Sequence, residues 1–551
     1  MIDNGTAGHL RTRTRALLAV VAGAIVAALR LLGTQGFSND HFYYLSRAEQ
    51  FLLGARPVRD FVDPGFPLMW ALSALAQALG GRTLLSEAML VAVGFGAAAT
   101  ITFWLIARWT GRLTLAFWAT FVELAVMPRS YSYPKILMYA AAAAAFLHYA
   151  RKPGTRSILL LAVVIAIAFL FRHDHGAYIG VGAFVLVAGM GGDRGLAGAA
   201  RRLGLLVGLS AILVAPYLLY VQSAGGLIPY FQGAMRYAER DATRTSMLAL
   251  PTLQGLAPFS ADGLSVMAYY VFWAVPLVAM LVAWAAAGRR DRASAWTITA
   301  LSVMTLIMNP GILRDPLTAR VPDAIVPFAV LTAWLCAEAL RSRPLPPIGS
   351  WLTRGTATVV IVITAVAAAR IGNFADTLDR AEMLHRPPRP GLRWREVSAQ
   401  LREPYAERQM PSDTAFALVP FFQYVRMCTP DTARIFVSGY VPEVNYYAQR
   451  GFAAGHAAVY RGYYSSDADQ REMIDRMQRE LVLYVVASPD GVETFAESFP
   501  LVNAYVQEHF LQMADFPVDG FTLPARVWVN KVVAPVPTYG TTGWPCPGPR
   551  L

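Results

Sequence analysis

Residues 38–67 read SNDHFYYLSRAEQFLLGARPVRDFVDPGFP and lie between one long apolar run and many others. Ser38 or Asn39 can cap a helix here, and Asp40 then falls in the first turn, where the helix dipole favours a negative charge. The apolar residues Phe42, Leu45, Ala48 and Leu52 recur at near-helical spacing, and Gly54 follows them. The stretch therefore predicts an amphipathic helix of about 15 residues lying on a membrane surface.

The composition is that of a polytopic membrane protein. The chain is 55% hydrophobic and only 15% charged, and its mean hydropathy is +0.40. The net charge of +12 comes mostly from arginine, which is expected in the cytoplasmic loops of such proteins. It therefore predicts no nucleic-acid partner. The first apolar run follows Arg11, Arg13 and Arg15 and lacks a small-residue cleavage site, so it predicts an anchor rather than a signal peptide.

Arginine positions set the number of membrane crossings. Eleven apolar runs are long enough, or nearly so, to span a bilayer; they lie near 16–33, 84–107, 113–128, 134–150, 157–171, 176–190, 203–221, 265–287, 294–309, 322–340 and 355–371. A twelfth, 67–80, is too short to cross about 30 Å at about 1.5 Å per residue. If it lies at the interface, five arginine-containing loops all become cytoplasmic, as the positive-inside rule requires; they are Arg108/Arg112, Arg151/Lys152/Arg156, Arg194/Arg201/Arg202, Arg289/Arg290/Arg292 and Arg341/Arg343/Arg354.

The fold class that follows is a mainly α polytopic membrane protein with about 11 transmembrane helices and a C-terminal exterior α/β domain. The predicted transmembrane domain is 1–371, with a first exterior loop at 34–66 and an interfacial helix at 67–80. In 372–551 the charge rises, strand-like segments appear at 433–440, 481–488 and 525–533, and a helix is predicted at 467–481. Cys428 and Cys546 could pair only if both face an oxidising compartment, which the sequence leaves open.

The stretch 38–67 also resembles a known family. A first crossing is followed by an acid, then by the pattern Y…A…L..G, and then by RDFVDPGFP, which opens the interfacial helix. This order resembles the GT-C superfamily of membrane glycosyltransferases, in its bacterial branch of protein mannosyltransferase-like and lipid A aminoarabinose transferase-like enzymes. The layout agrees over roughly 16–340, and the motif content lies in 38–70. Asp40 matches the family's first-loop acid, and Asp63 resembles its second acid, although the family often has Glu-Lys-Pro-Pro or His-Pro-Pro there.

The resemblance implies a reaction. It implies inverting transfer of a monosaccharide from a polyprenyl-phosphate donor to an envelope acceptor, which could be a glycolipid, a polysaccharide or a protein. The enzyme would be a hexosyl- or pentosyltransferase of the inner membrane, acting at the exterior face. Asp40 would be the base that deprotonates the acceptor hydroxyl, with Asp63 as the second catalytic acid. No nucleotide-binding fingerprint is present, which agrees with a lipid-linked donor.

Basic residues on the predicted exterior side are candidates for binding the donor phosphate. Guanidinium groups suit phosphate because their donors pair with two oxygens. Arg172 and Arg320 are favoured because they stand at helix ends next to Asp174 and Asp323. Snorkelling to lipid headgroups is the alternative for each of them. The other candidates are Arg129 and Lys135, followed by Arg236, Arg240, Arg244 and Arg314.

Histidines accompany these acids. His41 adjoins Asp40, while His173 and His175 flank Asp174. We predict no cofactor and no metal, and expect these side chains to form hydrogen bonds in a cavity wall; a divalent cation on His41, His173 and His175 is the alternative. The predicted substrate-lining residues are His41, Tyr44, His173, Asp174 and Asp323.

Two other classes of function fit the composition. A transporter or flippase of lipid-linked sugars would suit many crossings, but the hydrophobic halves show no inverted repeat. A non-catalytic envelope assembly protein could use the C-terminal domain for binding. Polymerases and ligases of lipid-linked sugars form a neighbouring enzyme class.

The predicted orientation is directly testable. Reporters placed after residues 112 and 292 should read as cytoplasmic, and a reporter after residue 551 as exterior, because basic loops are retained inside. Alkaline phosphatase and green fluorescent protein fusions provide the measurement. An exterior reading after residue 112 or 292 would contradict the orientation.

Overall fold

The structure is a computed structural model that describes residues 4–191, 195–246, 250–287, 292–314, 316–341, 347–384, 389–406, 410–533, 538–540 and 542–546. Side chains are described over these ranges except at 4–11, 241–246 and 347–353. Of the arginines assigned to cytoplasmic loops, Arg194, Arg289, Arg290 and Arg343 lie outside the described residues. The side chain of Arg244 lies outside them as well.

The first two thirds of the chain are helical. The helices are α1 (Asn4–Leu32), α2 (Asn39–Leu52), α3 (Pro67–Gly80), α4 (Leu84–Thr110), α5 (Leu113–Ala125), α6 (Tyr133–Arg151), α7 (Thr155–Phe171), α8 (His173–Gly191), α9 (Gly195–Ala224), α10 (Leu227–Ser246), α11 (Ala261–Ala287), α12 (Arg292–Met308), α13 (Ile325–Arg341) and α14 (Pro347–Ile371). Each of the eleven predicted apolar runs overlaps one of these helices.

Seven helices of the described chain are long and apolar enough to cross a membrane: α1, α4, α9, α11, α12, α13 and α14. Three further helices, α3, α5 and α7, are apolar but shorter. The structure is therefore that of a membrane protein with many apolar helices. The predicted total of about eleven crossings is not confirmed.

The remaining elements alternate between helix and strand. They are α15 (Phe374–Arg380), α16 (Pro390–Arg402), α17 (Asp413–Ala417), α18 (Val419–Cys428), β1 (Arg434–Ser438), α19 (Glu443–Ala448), β2 (Gly451–Phe452), α20 (Asp467–Arg479), β3 (Val482–Ala487), α21 (Pro489–Ser498), α22 (Pro500–His509), β4 (Phe510–Phe516), β5 (Ala525–Asn530), β6 (Thr538–Tyr539) and β7 (Trp544–Pro545). The strands predicted at 433–440, 481–488 and 525–533 correspond to β1, β3 and β5.

Contacts divide the chain into two compact units that interleave in sequence. The first unit comprises 1–34, 91–217 and 244–394, and the second comprises 35–90, 218–243 and 395–551. The predicted exterior loop and interfacial helix thus belong to the same unit as most of the predicted C-terminal domain. The domain boundary predicted at residue 371 was placed where the composition of the sequence changes. The two units of the structure are defined by contacts, which also join segments that are distant in sequence.

Small residues allow close helix packing in the first unit. There α12 packs against both α8 and α11. A Cβ atom added at Gly182 of α8 would lie 2.9 Å from the Phe146 ring and 3.0 Å from the Ala300 carbonyl oxygen of α12. Such close approach of backbones is how helices associate in membranes, where the lipid supplies no hydrophobic force between them.

A five-stranded sheet of order β2-β1-β3-β5-β4 organises the second unit. Strands β2, β1 and β3 are parallel, and β5 runs antiparallel to both β3 and β4. Strand β3 is buried along its whole length, as expected for a central strand covered on both faces. The core beneath the sheet includes Phe436, Val485, Phe495 and Trp528.

Helix α2 docks on α19 and on β2 at the edge of this sheet, and its predicted place on a membrane surface stays a prediction. Asn39 donates to the Tyr440 carbonyl at 3.2 Å, and Ser46 donates to the Pro442 carbonyl at 2.6 Å. Farther along the helix, Gln50 accepts from the Phe452 backbone amide at 2.9 Å. The polar side chains of α2, which the sequence pattern places in solvent, thus form hydrogen bonds with backbone groups that are distant in sequence. Most of α2 is buried. The adjoining α3 does expose apolar side chains, Leu75 at 53% and Leu79 at 81%.

A disulfide joins Cys428, at the end of α18, to Cys546, 118 residues later. It ties the C-terminal segment to the helix that precedes β1. Bonds of this kind persist in oxidising compartments and are rare in the cytosol. The pairing that the sequence left open is therefore formed.

A buried acid in the second unit makes its stability dependent on pH. Glu443 begins α19 and is 0% exposed. Its Oε1 accepts from the Ser412 hydroxyl at 2.8 Å, while its Oε2 has no hydrogen-bond partner in the described part of the chain. Burial raises the pKa of Glu443 to about 7. The folded protein therefore holds a proton that the unfolded chain releases at a lower pH.

We expect the contribution of Glu443 to stability to be fully present below pH 4.5, the ordinary pKa of a glutamic acid. It should be lost as pH rises through about 7, at a cost of about 3 kcal/mol or less. Thermal unfolding of the wild type and Glu443→Gln between pH 5 and 8 measures this. The variant should lose less stability over that range, and the exposed control Glu493→Gln should behave as the wild type does. Equal pH slopes for the wild type and Glu443→Gln would refute the assignment.

Candidate functional site

The acid predicted to be catalytic, Asp40, is half-buried at the start of α2 in the second unit. The Tyr440 hydroxyl donates a hydrogen bond to Asp40 Oδ1 at 2.8 Å. Asn39 holds the backbone of the same tyrosine, so two consecutive residues of α2 bind one residue of the loop after β1. The carboxylate is thus fixed by a neutral donor and remains partly accessible. These are properties that a general base needs.

The loop after β1 can place Tyr440 only because glycine precedes it. Gly439 has a φ of +97°, and a Cβ atom there would lie 1.7 Å from the Ser488 hydroxyl oxygen. That hydroxyl caps α21 by accepting from the Gly491 amide. Glycine is therefore required by both the backbone conformation and the available space. Tyr440 then projects from the carboxyl end of a parallel strand, where ligands of open α/β sheets usually bind.

Aromatic rings surround this contact. The Tyr440 ring lies 5.0 Å from Tyr460 and 6.3 Å from Tyr43, measured between centroids. Burial and the adjacent Asp40 charge raise the pKa of Tyr440 well above its usual value. Tyr440 therefore stays protonated and remains a hydrogen-bond donor to Asp40. We refer to Asn39, Asp40, Tyr43, Tyr440 and Tyr460 as the Asp40 cluster.

The structure places Asp63 in a turn. It is 3% exposed, and its Oδ1 accepts from the backbone amides of Gly65 and Phe66 at 3.1 and 3.0 Å. This is the geometry of an Asx turn, in which the aspartate fixes its own loop. Asp60 also binds its own loop, through Arg59 and the Arg56 amide.

The two other predicted residues of this region differ in accessibility. His41 is 0% exposed; its Nε2 lies 2.7 Å from Glu87 Oε1, and Ser73 donates to the same oxygen. A side chain so enclosed serves packing and hydrogen bonding in the core. Tyr44 is half-buried and packs edge-on against Phe66 at 5.7 Å.

The four basic residues predicted to bind phosphate occur together in the first unit. Arg129 and Arg320 both donate to the Tyr131 hydroxyl, at 3.1 and 3.2 Å. Lys135 lies 5.7 Å from the centre of the same ring. Arg172 and Arg320 are close enough to Lys135 to repel it electrostatically. We refer to Arg129, Lys135, Arg172 and Arg320, with Asp174 and Asp323, as the cationic cluster.

Two carboxylates balance part of this charge. Lys135 pairs with Asp323 at 2.5 Å, and Arg172 pairs with Asp174 through two hydrogen bonds of 3.0 and 2.6 Å. Four cations against two acids leave two positive charges in excess. The three arginines are half-buried. Such an excess at helix ends suits a doubly charged phosphate.

The remaining predicted residues flank the cationic cluster. His173 stacks on Phe169 with ring centroids 4.2 Å apart, and the His175 ring hydrogen-bonds the Tyr139 hydroxyl. Within the described residues, no group of three or more histidine, cysteine or acidic side chains could hold a metal ion. His173 and His175 thus have aromatic and phenolic neighbours, and their place in a cavity wall stays a prediction.

Sequence reasoning missed the tyrosines that organise both clusters. Tyr440 was not among the predicted site residues, although its position directly after a strand and a glycine is a usable signal. Tyr131 stands between Arg129 and Lys135 in the sequence, and a phenol between two cations could have been recognised as their shared partner. Lys135, which is distant in sequence, forms an ion pair with Asp323.

Comparison with known proteins gives limited similarity. No family model matches the chain, and no curated protein matches it. A solved structure, the crystal structure of ArnT from Cupriavidus metallidurans in the apo state, is similar over 93% of this chain and 97% of that chain, with 12% sequence identity and a TM-score of 0.48. We base the function proposed below on this chain's own residues.

Proposed function

We propose that the chain is a membrane glycosyltransferase of the GT-C type. It transfers one monosaccharide, with inversion, from a polyprenyl-phosphate donor to a hydroxyl group of an envelope acceptor at the exterior face. The observation that carries the proposal is the Asp40–Tyr440 hydrogen bond, because it orders the acid of the family-like motif with a neutral donor and leaves it half-buried.

The chemistry assigns one task to each cluster. Asp40 accepts the proton of the acceptor hydroxyl as its oxygen attacks the anomeric carbon of the donor sugar. The bond between that carbon and the phosphate oxygen breaks, and the lipid phosphate leaves with both bonding electrons. The cationic cluster binds this phosphate and stabilises the charge that develops on it. Attack opposite the leaving group inverts the anomeric configuration.

The excess of two positive charges supports a phosphate-bearing donor. Arg129 and Arg320 both donate to the Tyr131 hydroxyl, and each guanidinium carries five N–H donors. Asp63 has no part in this mechanism, since backbone amides of its own turn engage one of its oxygens. Asp174 and Asp323 act as partners that orient Arg172 and Lys135.

The exterior face is supported by two independent features. The disulfide between Cys428 and Cys546 suits an oxidising compartment. The arginine pattern of the loops requires the same orientation. A transporter or flippase would move the intact lipid-linked sugar, whereas the proposed enzyme forms a new glycosidic bond. Product analysis separates them.

Replacing the proposed base should abolish transfer. We expect Asp40→Asn to lower kcat by at least about a hundredfold, because a general base contributes roughly 10²–10⁴-fold. Purified protein, a radiolabelled polyprenyl-phosphate sugar mixture and envelope lipids provide the assay. Asp519→Asn, at an exposed aspartate, is the matched control and should retain activity. Equal transfer by Asp40→Asn and the wild type would remove Asp40 from the role.

Replacing one phosphate-binding arginine should weaken donor binding. Arg320→Gln should raise KM for the donor by about tenfold or more, since a hydrogen bond to a charged group contributes about 1.5–3 kcal/mol. Steady-state kinetics over a range of donor concentrations measure this. The exposed Arg402→Gln is the control for loss of one positive charge. An unchanged donor KM and kcat in Arg320→Gln would exclude the cationic cluster from the reaction.

A further inference from the structure

The second unit contains another set of buried polar side chains, which the proposed mechanism does not use. Arg47 of α2 is 0% exposed, and His456, between β2 and α20, is 9% exposed. Arg47 Nη2 and His456 Nδ1 have no hydrogen-bond partner in the part of the chain that the structure describes. Buried nitrogen atoms without partners are rare in folded proteins and call for a ligand or a bound water.

These two side chains converge with Tyr464 on one small region. The rings of His456 and Tyr464 lie 3.9 Å apart between centroids. Arg47 is close enough to interact electrostatically with both His456 and Tyr464. We refer to Arg47, His456 and Tyr464 as the Arg47 pocket.

The Arg47 pocket contains a buried charge that forms no direct ion pair within the described chain. The guanidinium donates to the carbonyls of Val62 and Tyr43, at 3.2 and 2.8 Å. It also stacks 3.7 Å above the Tyr43 ring. All of these partners are neutral, and Arg47 forms no ion pair with any acid of the described chain. A buried cation of this kind is costly unless an anion accompanies it.

Charged side chains of both signs lie near the Arg47 pocket. Arg476 also acts on His456 and is opposed there by Asp469. Asp63 lies near Arg47 and offsets part of its charge, while Asp63 Oδ1 accepts from backbone amides of its own turn. Burial, followed by the fields of Arg476 and Arg47, lowers the pKa of His456 to about 3. The imidazole is therefore neutral near pH 7, and its electrostatic environment favours an incoming negative charge.

The backbone that presents Tyr464 is strained. Tyr464 has a φ of 56° and Ala454 a φ of 58°, both in the left-handed region that bulky residues avoid. Strain of this kind persists only where the surrounding structure imposes it, and such residues concentrate at ligand sites. The segment therefore holds the phenol against the pocket at an energetic cost.

Helix α10 covers one side of the Arg47 pocket. Its Arg240 pairs with Asp469 at 3.3 Å and lies 5.9 Å from the centre of the Tyr464 ring. Its Tyr237 contacts Tyr463 with ring centroids 5.5 Å apart.

We propose that the Arg47 pocket binds an oxyanion, a phosphate or carboxylate group carried by the acceptor. The Tyr43 ring that stacks under Arg47 also contacts Tyr440, which holds Asp40. An anion anchored at Arg47 therefore lies one tyrosine away from the contact that orders the base. The assignment of this anion to the acceptor rests on the proposed function, whereas the oxyanion site itself does not.

The first test measures binding without any turnover. The full chain in detergent is heated at increasing concentrations of inorganic phosphate, with chloride at matched ionic strength as the reference. We expect a saturable rise in Tm with phosphate that chloride does not reproduce. Arg47→Met should lose the phosphate response and should melt no lower than the wild type without phosphate, because the buried charge is gone. The exposed Arg402→Gln should respond as the wild type does.

Two results of this test would overturn the oxyanion site: an undiminished phosphate response in Arg47→Met, or an equal response of the wild type to chloride. If Arg47→Met does not fold, Tyr464→Phe replaces it, since this change removes only a hydroxyl group. Tyr464→Phe should weaken the apparent phosphate affinity several-fold. An unchanged affinity in that variant would also overturn the site.

A second arm separates a free phosphate from a lipid headgroup. The chain is placed in nanodiscs of phosphatidylglycerol or of phosphatidylcholine, and the difference between the two Tm values is compared for the wild type and Arg47→Met. A gain in phosphatidylglycerol that requires Arg47 supports the site and identifies a lipid source. A response only to inorganic phosphate supports the site and identifies a soluble phosphate group. No Arg47-dependent response in either arm overturns it.

Kinetics then test the link to the acceptor. Arg47→Met should raise KM for the acceptor on the order of tenfold and leave kcat nearly unchanged, whereas Asp40→Asn lowers kcat. Phosphate binding that depends on Arg47, together with an unchanged acceptor KM, would overturn the acceptor assignment alone. Loss of transfer in Asp40→Asn tests the proposed function separately.

Discussion

Docking of α2 on the edge of the five-stranded sheet is the interaction on which the candidate site depends. Asn39, Ser46 and Gln50 lie on α2 and satisfy backbone groups of the loop after β1 and of β2. The same docking brings Asp40 to the Tyr440 hydroxyl across 400 residues of sequence. Because buried backbone groups must be paired, shifting α2 along the sheet would break several hydrogen bonds together. The position of the Asp40 carboxylate is therefore determined by how α2 is aligned on the edge of the sheet.

The sequence predicted local structure well and long-range pairing poorly. Hydrophobic periodicity located the helices, and β-branched runs located β1, β3 and β5, because both signals are contained in short windows. The amphipathic pattern of α2 was recognised, but its surroundings were not. Ser46 and Gln50 look like solvent-facing residues until the sheet that pairs with them is known. Tyr440 was missed for the same reason, since its partner is far away in the sequence.

The basic residues present a different case. Their predicted exterior placement drew attention to Arg129, Lys135, Arg172 and Arg320. The structure brings three of them together around Tyr131 and places Arg172 near Lys135. Arg172 pairs with Asp174, its neighbour in sequence, whereas the pairing of Lys135 with Asp323 did not follow from proximity in sequence. Arg47 was also missed: an arginine on the polar side of an amphipathic pattern gives no sign that it will be fully buried. Burial without a counter-charge becomes visible only in three dimensions.

The central claim is that Asp40 acts as the base and that Tyr440 acts through it. A double-mutant cycle on kcat for sugar transfer, with Asp40→Asn, Tyr440→Phe and the double variant, tests it most directly. The account predicts that Tyr440→Phe lowers kcat in the wild-type background and has no further effect once Asp40 is replaced. Equal and multiplicative losses in both backgrounds would contradict it, because the tyrosine would then act independently of the carboxylate.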